Sequence, residues 1–196
     1  MSQNARQSQY NIAPHFVERW SPRSFGEEAI SEDELFACFE AARWAPSGFN
    51  LQPWRFIYAT RETPQWAPFA DLLSPNNRAW AIDAAALVLF VSKTTVVRNG
   101  EARPATSHAF DAGAAWSNFA HQAQLTGWHT HAIGGFDKDR ARAELGIPDD
   151  FAINVIAAIG RLGPKGKPPE NLQEQEFPRG RLPLESLVME GRFRSE

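Results

Sequence analysis

Ala86-Leu87-Val88-Leu89-Phe90-Val91 is an unbroken apolar run. A segment with no polar side chain keeps no solvent face, so it reads as a strand covered on both sides. Ala152-Ile153-Asn154-Val155-Ile156-Ala157-Ala158-Ile159 reads as a second central strand. Helical patterns lie on either side of these two runs. Ser31-Glu32-Asp33-Glu34 is a capping box, followed at helical spacing by Leu35, Phe36, Phe39 and Ala42 and ended by Ala45-Pro46. Trp54 to Ala59 alternates as a strand does, and residues 64–83 look helical but are broken by Pro64, Pro68 and Pro75. Asn99 to Pro104 is polar and reads as a loop. Ala109 to Leu125 carries Trp116, Phe119 and Ala123 at helical spacing and is stopped by Gly127. Trp128 to Ile133 is a short strand running into Gly134-Gly135-Phe136, and Asp137 caps a helix that reaches Leu145. Strands and helices interleave, so the class is α/β or α+β with helices on both faces of a sheet.

The 196 residues, 43% hydrophobic and 22% charged, suit one domain over 1–196. From about 164 to 196, prolines and charges dominate; such a stretch builds no core of its own and is expected to wrap along the domain or a partner chain as a C-terminal arm. No run of roughly 18 apolar residues is present, so no membrane span is expected. The polar opening lacks the apolar heart of a signal peptide, which points to a cytoplasmic protein. A single cysteine, Cys38, leaves no disulfide framework. A net charge of −3 argues against a nucleic-acid partner. Seven Trp and fourteen Phe offer more flat apolar surface than one small core needs, which leaves some for an interface or a planar ligand.

Arg19, Ser21 and Arg23 share one face of an extended segment, and Arg179-Gly180-Arg181 repeats the spacing far away. Guanidinia at that spacing make charge-assisted forks suited to a phosphate. Gly134-Gly135 permits close backbone approach to a ligand. The chain has no G-x-G-x-x-G, and Gly160 to Lys167 fails as a phosphate loop because its glycine spacing is wrong and Pro168 follows Lys167. His129 and His131 share a strand face, but no acidic or cysteine partner accompanies them. A structural or substrate-facing role is favoured, and no metal is expected.

Arg19-Trp20-Ser21-Pro22-Arg23-Ser24-Phe25 and Ala42-Arg43-Trp44-Ala45-Pro46-Ser47-Gly48-Phe49-Asn50-Leu51-Gln52-Pro53-Trp54 resemble the two signature blocks of the FMN-dependent nitroreductase family. Ile133-Gly134-Gly135-Phe136-Asp137 and Arg179-Gly180-Arg181-Leu182-Pro183 continue the likeness in order. The resemblance implies a three-layer α/β/α fold of the α+β class, with a central, mostly antiparallel sheet, in a domain-swapped homodimer. It implies FMN as cofactor, with Arg19, Ser21, Arg179 and Arg181 at the phosphate and ribityl end and Trp20 contributing mostly backbone. Arg23 and Asn77 would lie near the pyrimidine edge of the flavin, and Ile133, Gly134 and Gly135 beside its N5. Pro46, Ser47, Gly48 and Asn50 would come from the other subunit. Some members carry Lys in place of Trp80 and Glu in place of Gly134. The implied activity takes hydride from NAD(P)H and passes it to nitroaromatics, quinones or similar small electrophiles by a ping-pong cycle. The chemistry would be borne by the flavin rather than by a catalytic side chain, with Arg23, Gly134 and Gly135 tuning it. The alternatives are a specialised flavin reaction (flavin fragmentation, dehalogenation, or enal or aldehyde reduction) and an FMN-binding module without turnover.

Overall fold

A computed structural model describes residues 6–164 and 168–194. The polar opening before Arg6, and Lys165, Gly166 and Lys167 of the rejected phosphate-loop stretch, lie outside the described residues. In chain order the elements are α1 (Pro14–Glu18), α2 (Glu32–Arg43), β1 (Trp54–Thr60), α3 (Trp66–Ala70), α4 (Pro75–Ala81), β2 (Ala86–Lys93), β3 (Thr95–Arg98), β4 (Glu101–Pro104), α5 (His108–Leu125), β5 (His129–Ile133), α6 (Lys138–Glu144), β6 (Phe151–Gly160) and α7 (Glu170–Gln173).

The two apolar runs form the centre of an antiparallel sheet of order β1-β2-β6-β5. Side chains alternate along β2, and both sets are buried. Leu87, Leu89 and Val91 join Phe69, Trp80 and Ala141 of α3, α4 and α6 and Leu72 between α3 and α4, while Ala86, Val88 and Phe90 join Leu35, Cys38 and Phe119 of α2 and α5. The result is three layers, helix on sheet on helix, as the two-sided burial of both central strands requires. In β6 the alternation slips: Ile153 faces the same core as Ile156 and Ala158, while Val155 faces the other. A bulge causes this, because the register jumps between Phe90 opposite Val155 and Val91 opposite Ile153. The extra residue, Asn154, donates from Nδ2 to the buried Ser92 Oγ at 3.0 Å.

Local signals hold for most elements. Ser31 Oγ accepts from Glu34 N–H at 3.3 Å, and the Glu34 carboxylate accepts in return from Ser31 N–H at 3.1 Å. Pro75 occupies the start of α4, where its missing N–H costs nothing. Asp137 caps α6 by accepting from Arg140 N–H at 2.9 Å. The loop expected over Asn99 to Pro104 is instead the return strand of a hairpin, β3 paired with β4. Asn99 and Gly100 have φ of 53° and 81°, the left-handed pair that a two-residue hairpin turn demands. Among the bonds that fasten the C-terminal arm to the body, Glu176 accepts from the N–H groups of Arg23 (2.8 and 3.0 Å) and Ser24 (2.9 Å). Beyond it, Leu182, Leu187, Val188 and Phe193 remain exposed.

Candidate functional site

The fold brings the two arginine clusters together. Arg19, Trp20, Ser21 and Arg23, on the extended stretch after α1, line a cavity of about 250 Å³ with Arg179 and Arg181 of the arm. Arg6, Gln175, Phe177 and His131 complete the lining, and no carboxylate is part of it. Arg19 Nη1 donates to Ser21 Oγ at 3.4 Å, and Arg181 Nη1 is steadied by the carbonyls of Arg179 and Gly180 at 3.1 and 3.0 Å. Burial and then the positive charges of Arg181 and Arg6 hold Arg19 below the usual guanidinium range. Burial also lowers Arg23, with Glu176 opposing and Arg179 adding to the effect. Cations crowded with so little opposing charge form a receptor for an anion.

His131 forms the floor. Its Nδ1 is 2.9 Å from the Pro22 carbonyl, so this nitrogen carries the proton and donates. Burial, with the nearby Arg23 and Arg19 cations, pushes its pKa down to about 4 against the Pro22 hydrogen bond. The imidazole is therefore neutral at pH 7. Trp80 packs on it with ring centroids 4.6 Å apart and also meets Phe25, so Trp80 belongs to the core. His129 is lowered too, chiefly by burial. Among the described residues no three His, Cys, Asp or Glu side chains are grouped to hold a metal ion.

A second cavity of about 340 Å³ shares Arg19, Ser21 and His131 with the first and runs between β5 and the Trp116 to His121 face of α5. Strand β5 is the sheet's last strand. From His131 it leads in four residues, roughly 13 Å of extended chain, to Gly135. There, Ser74 N–H and Asn77 Nδ2 both donate to the Gly135 carbonyl, at 3.1 and 3.0 Å, and Asn77 Nδ2 also reaches Ser74 Oγ at 3.1 Å. A Cβ on Gly135 would stand 2.6 Å from Asn77 Nδ2, whereas one on Gly134 would meet nothing within 4 Å. Ile133 is buried in the core, so only its backbone can face a ligand.

Pro46, Ser47, Gly48 and Asn50 line neither cavity. Their loop hangs on the first turn of α5, where buried Asp111 accepts from Gly48 N–H at 3.2 Å and from Ser107 Oγ at 2.9 Å. Phe49, Asn50 and Gln52 all take positive φ (52°, 57° and 48°), a costly backbone for non-glycine residues. Phe49 is 84% exposed, with the Arg98 guanidinium 4.1 Å from its ring centroid. Asp111 and His121 are ten residues apart on α5, about 15 Å along its axis. The loop and the arginine cavity of one chain thus sit at different ends of that helix. Arg6, Glu176 and Asp111 enter the site or its scaffold without having stood out by local spacing, whereas His131, singled out with His129 by its i, i+2 spacing, lines the cavity.

The sequence model of the Nitroreductase family matches residues 16–71 and 63–161. The chain is 29% identical over 206 aligned positions to an NADH dehydrogenase of Thermus thermophilus, covering 88% of this chain and 92% of that one. It superposes on a solved oxidoreductase containing FMN over 100% of both chains, with a TM-score of 0.95 and 42% identity. An FMN complex of a nitroreductase-type protein from Exiguobacterium sibiricum shares the fold at a TM-score of 0.73 and 20% identity, over 93% of this chain and 98% of that one.

Proposed function

The chain belongs to the nitroreductase family, and we propose that it is an FMN-dependent oxidoreductase that takes reducing equivalents from NAD(P)H and delivers them to nitroaromatics, quinones or similar small electrophiles. The observation that carries this reading is the convergence of Arg19, Ser21, Arg179 and Arg181 on one carboxylate-free cavity, which shares Arg19, Ser21 and His131 with a second cavity lined by His131 and Ala132 of β5. The residues fit FMN: guanidinia and a hydroxyl suit a terminal phosphate, the second cavity continues from that cluster along β5, and a Cβ on Gly134 would meet nothing within 4 Å. The 42% identical structure contains FMN. When bound, FMN supplies two-electron redox chemistry between successive partners at one position.

The chain's own residues bind and orient. Arg19 and Arg181 would neutralise the phosphate, and Ser21 would donate to it. Ser74 and Asn77 donate to the Gly135 carbonyl and would thereby fix the peptide beside a bound flavin. His131, neutral with its proton committed to Pro22, supplies shape rather than acid–base chemistry. A side-chain base is not needed where stacking distance and orientation control the reaction.

The working form is proposed to be a cytoplasmic homodimer in which Pro46, Ser47, Gly48 and Asn50 serve the second copy's flavin. The placement of their loop beyond reach of its own chain's cavity supports this, as do the exposed Trp44, Phe49, Phe110 and Leu125. Steady-state rates with NADH or NADPH and a quinone test the activity. Parallel double-reciprocal lines are expected, and intersecting lines would exclude alternate use of one position.

A further inference from the structure

We propose that the two ends of this chain form a phosphate-operated clasp, with Arg6 as an additional anion-binding arginine. The clasp rests on the reading of the cavity as a phosphate seat, the part of the proposed function that does not depend on the flavin ring.

Three parts of the chain present guanidinia to the cavity: Arg6 from the N-terminal arm, Arg19 and Arg23 from the body, and Arg179 and Arg181 from the C-terminal arm. Arg6 lies outside the span that matches the family. Its position is nonetheless built: Nη2 donates to the Arg19 carbonyl at 2.9 Å and Nη1 reaches the Glu18 carbonyl at 3.4 Å. Those bonds turn the guanidinium into the cavity and use only part of its five donors.

The arms themselves meet loosely. A groove of about 640 Å³ lies between the N-terminal stretch around Tyr10 and Ile12 and the C-terminal stretch around Leu182 and Leu184. Where they do converge, they present like charges, and Arg181 bears on both Arg6 and Arg19. Between the two guanidinia themselves the interaction is repulsive. A dianionic phosphate reverses the sign by bridging both arms to the body with charge-assisted hydrogen bonds. Because one anion touches both arms, ordering either arm strengthens the hold of the other, and the coupling is reciprocal.

The test is hydrogen exchange by mass spectrometry on the full chain, alone, with FMN and with inorganic phosphate, alongside FMN titration of wild type, Arg6→Ala, Arg6→Lys and Arg19→Ala. FMN should slow exchange in residues 6–12 and 178–188 together. Arg6→Ala should abolish that joint protection and weaken FMN binding about tenfold to a hundredfold, with Arg6→Lys intermediate. Full FMN affinity in Arg6→Ala, or protection of the C-terminal arm alone, overturns the clasp while leaving the flavin reading intact. If Arg19→Ala binds FMN as wild type does, or wild type binds none, the flavin reading fails. Joint protection by inorganic phosphate would then still support the clasp, and unchanged exchange with both anions would overturn it.

Discussion

Gly135 is where a small addition bears directly on the proposed flavin site. A side chain there collides with the Asn77 carboxamide and displaces one of the two donors that fix its carbonyl. Gly135→Val should therefore slow flavin reduction by NAD(P)H at least about tenfold while FMN stays bound through its phosphate, as read by stopped-flow bleaching. Arg19→Ala or Arg181→Ala should do the opposite, weakening FMN by about 1.5–3 kcal/mol with little effect on folding; a titration and a melting curve separate the two. His131 sets a pH dependence. Its pKa of about 4 lies below the ordinary 6.5, so between these values an unfolded chain takes up a proton that the folded chain refuses. Stability should fall by up to about 3 kcal/mol as pH drops from 6.5 to 4 and then stop responding to this group. Urea melts across that range should show a shallower slope in His131→Gln. Arg19, Ser21, Arg179 and Arg181 were legible because their i, i+2 spacing is local. Arg6 and Glu176 were not, since what gives each its role lies elsewhere in the chain: Glu18 and Arg19 for one, the backbone of Arg23 and Ser24 for the other.

At the scale of elements, the legible features were those whose physics is short-range. The capping box of α2 is one. Ser31→Ala should cost about 1 kcal/mol in urea unfolding, because Glu34 N–H loses its acceptor. The β3–β4 hairpin carried a readable signal too, Asn99-Gly100 between strand-forming residues, but the polarity of the segment suggested a loop. Its side chains are mostly exposed, so no apolar alternation marks the return strand. The bulge at Asn154 was hidden for another reason: an inserted residue shows only against a partner's register, here that of β2.

At the scale of the molecule, the three layers follow from two strands that have no face to give to water. The strand order and the meeting of the arginine clusters depend on contacts between distant segments; the family likeness supplied the antiparallel sheet and the shared role of the arginines, and the strand order came only from the structure. The exposed Trp44, Phe49, Phe110 and Leu125, with the loop held away from its own cavity, lead to a dimer that should not separate without unfolding. Light scattering should give twice the chain mass, and a flavin-loaded monomer would contradict the shared site.

The most direct test of the central claim is the visible spectrum of the purified protein, recorded anaerobically before and after addition of NADH and, separately, of NADPH. The arginine cavity and the second cavity along β5 predict a yellow protein that releases FMN on denaturation and is bleached by at least one of the two nucleotides. A colourless protein that FMN cannot reconstitute would contradict the site, and a bound flavin that neither nucleotide bleaches would contradict the activity.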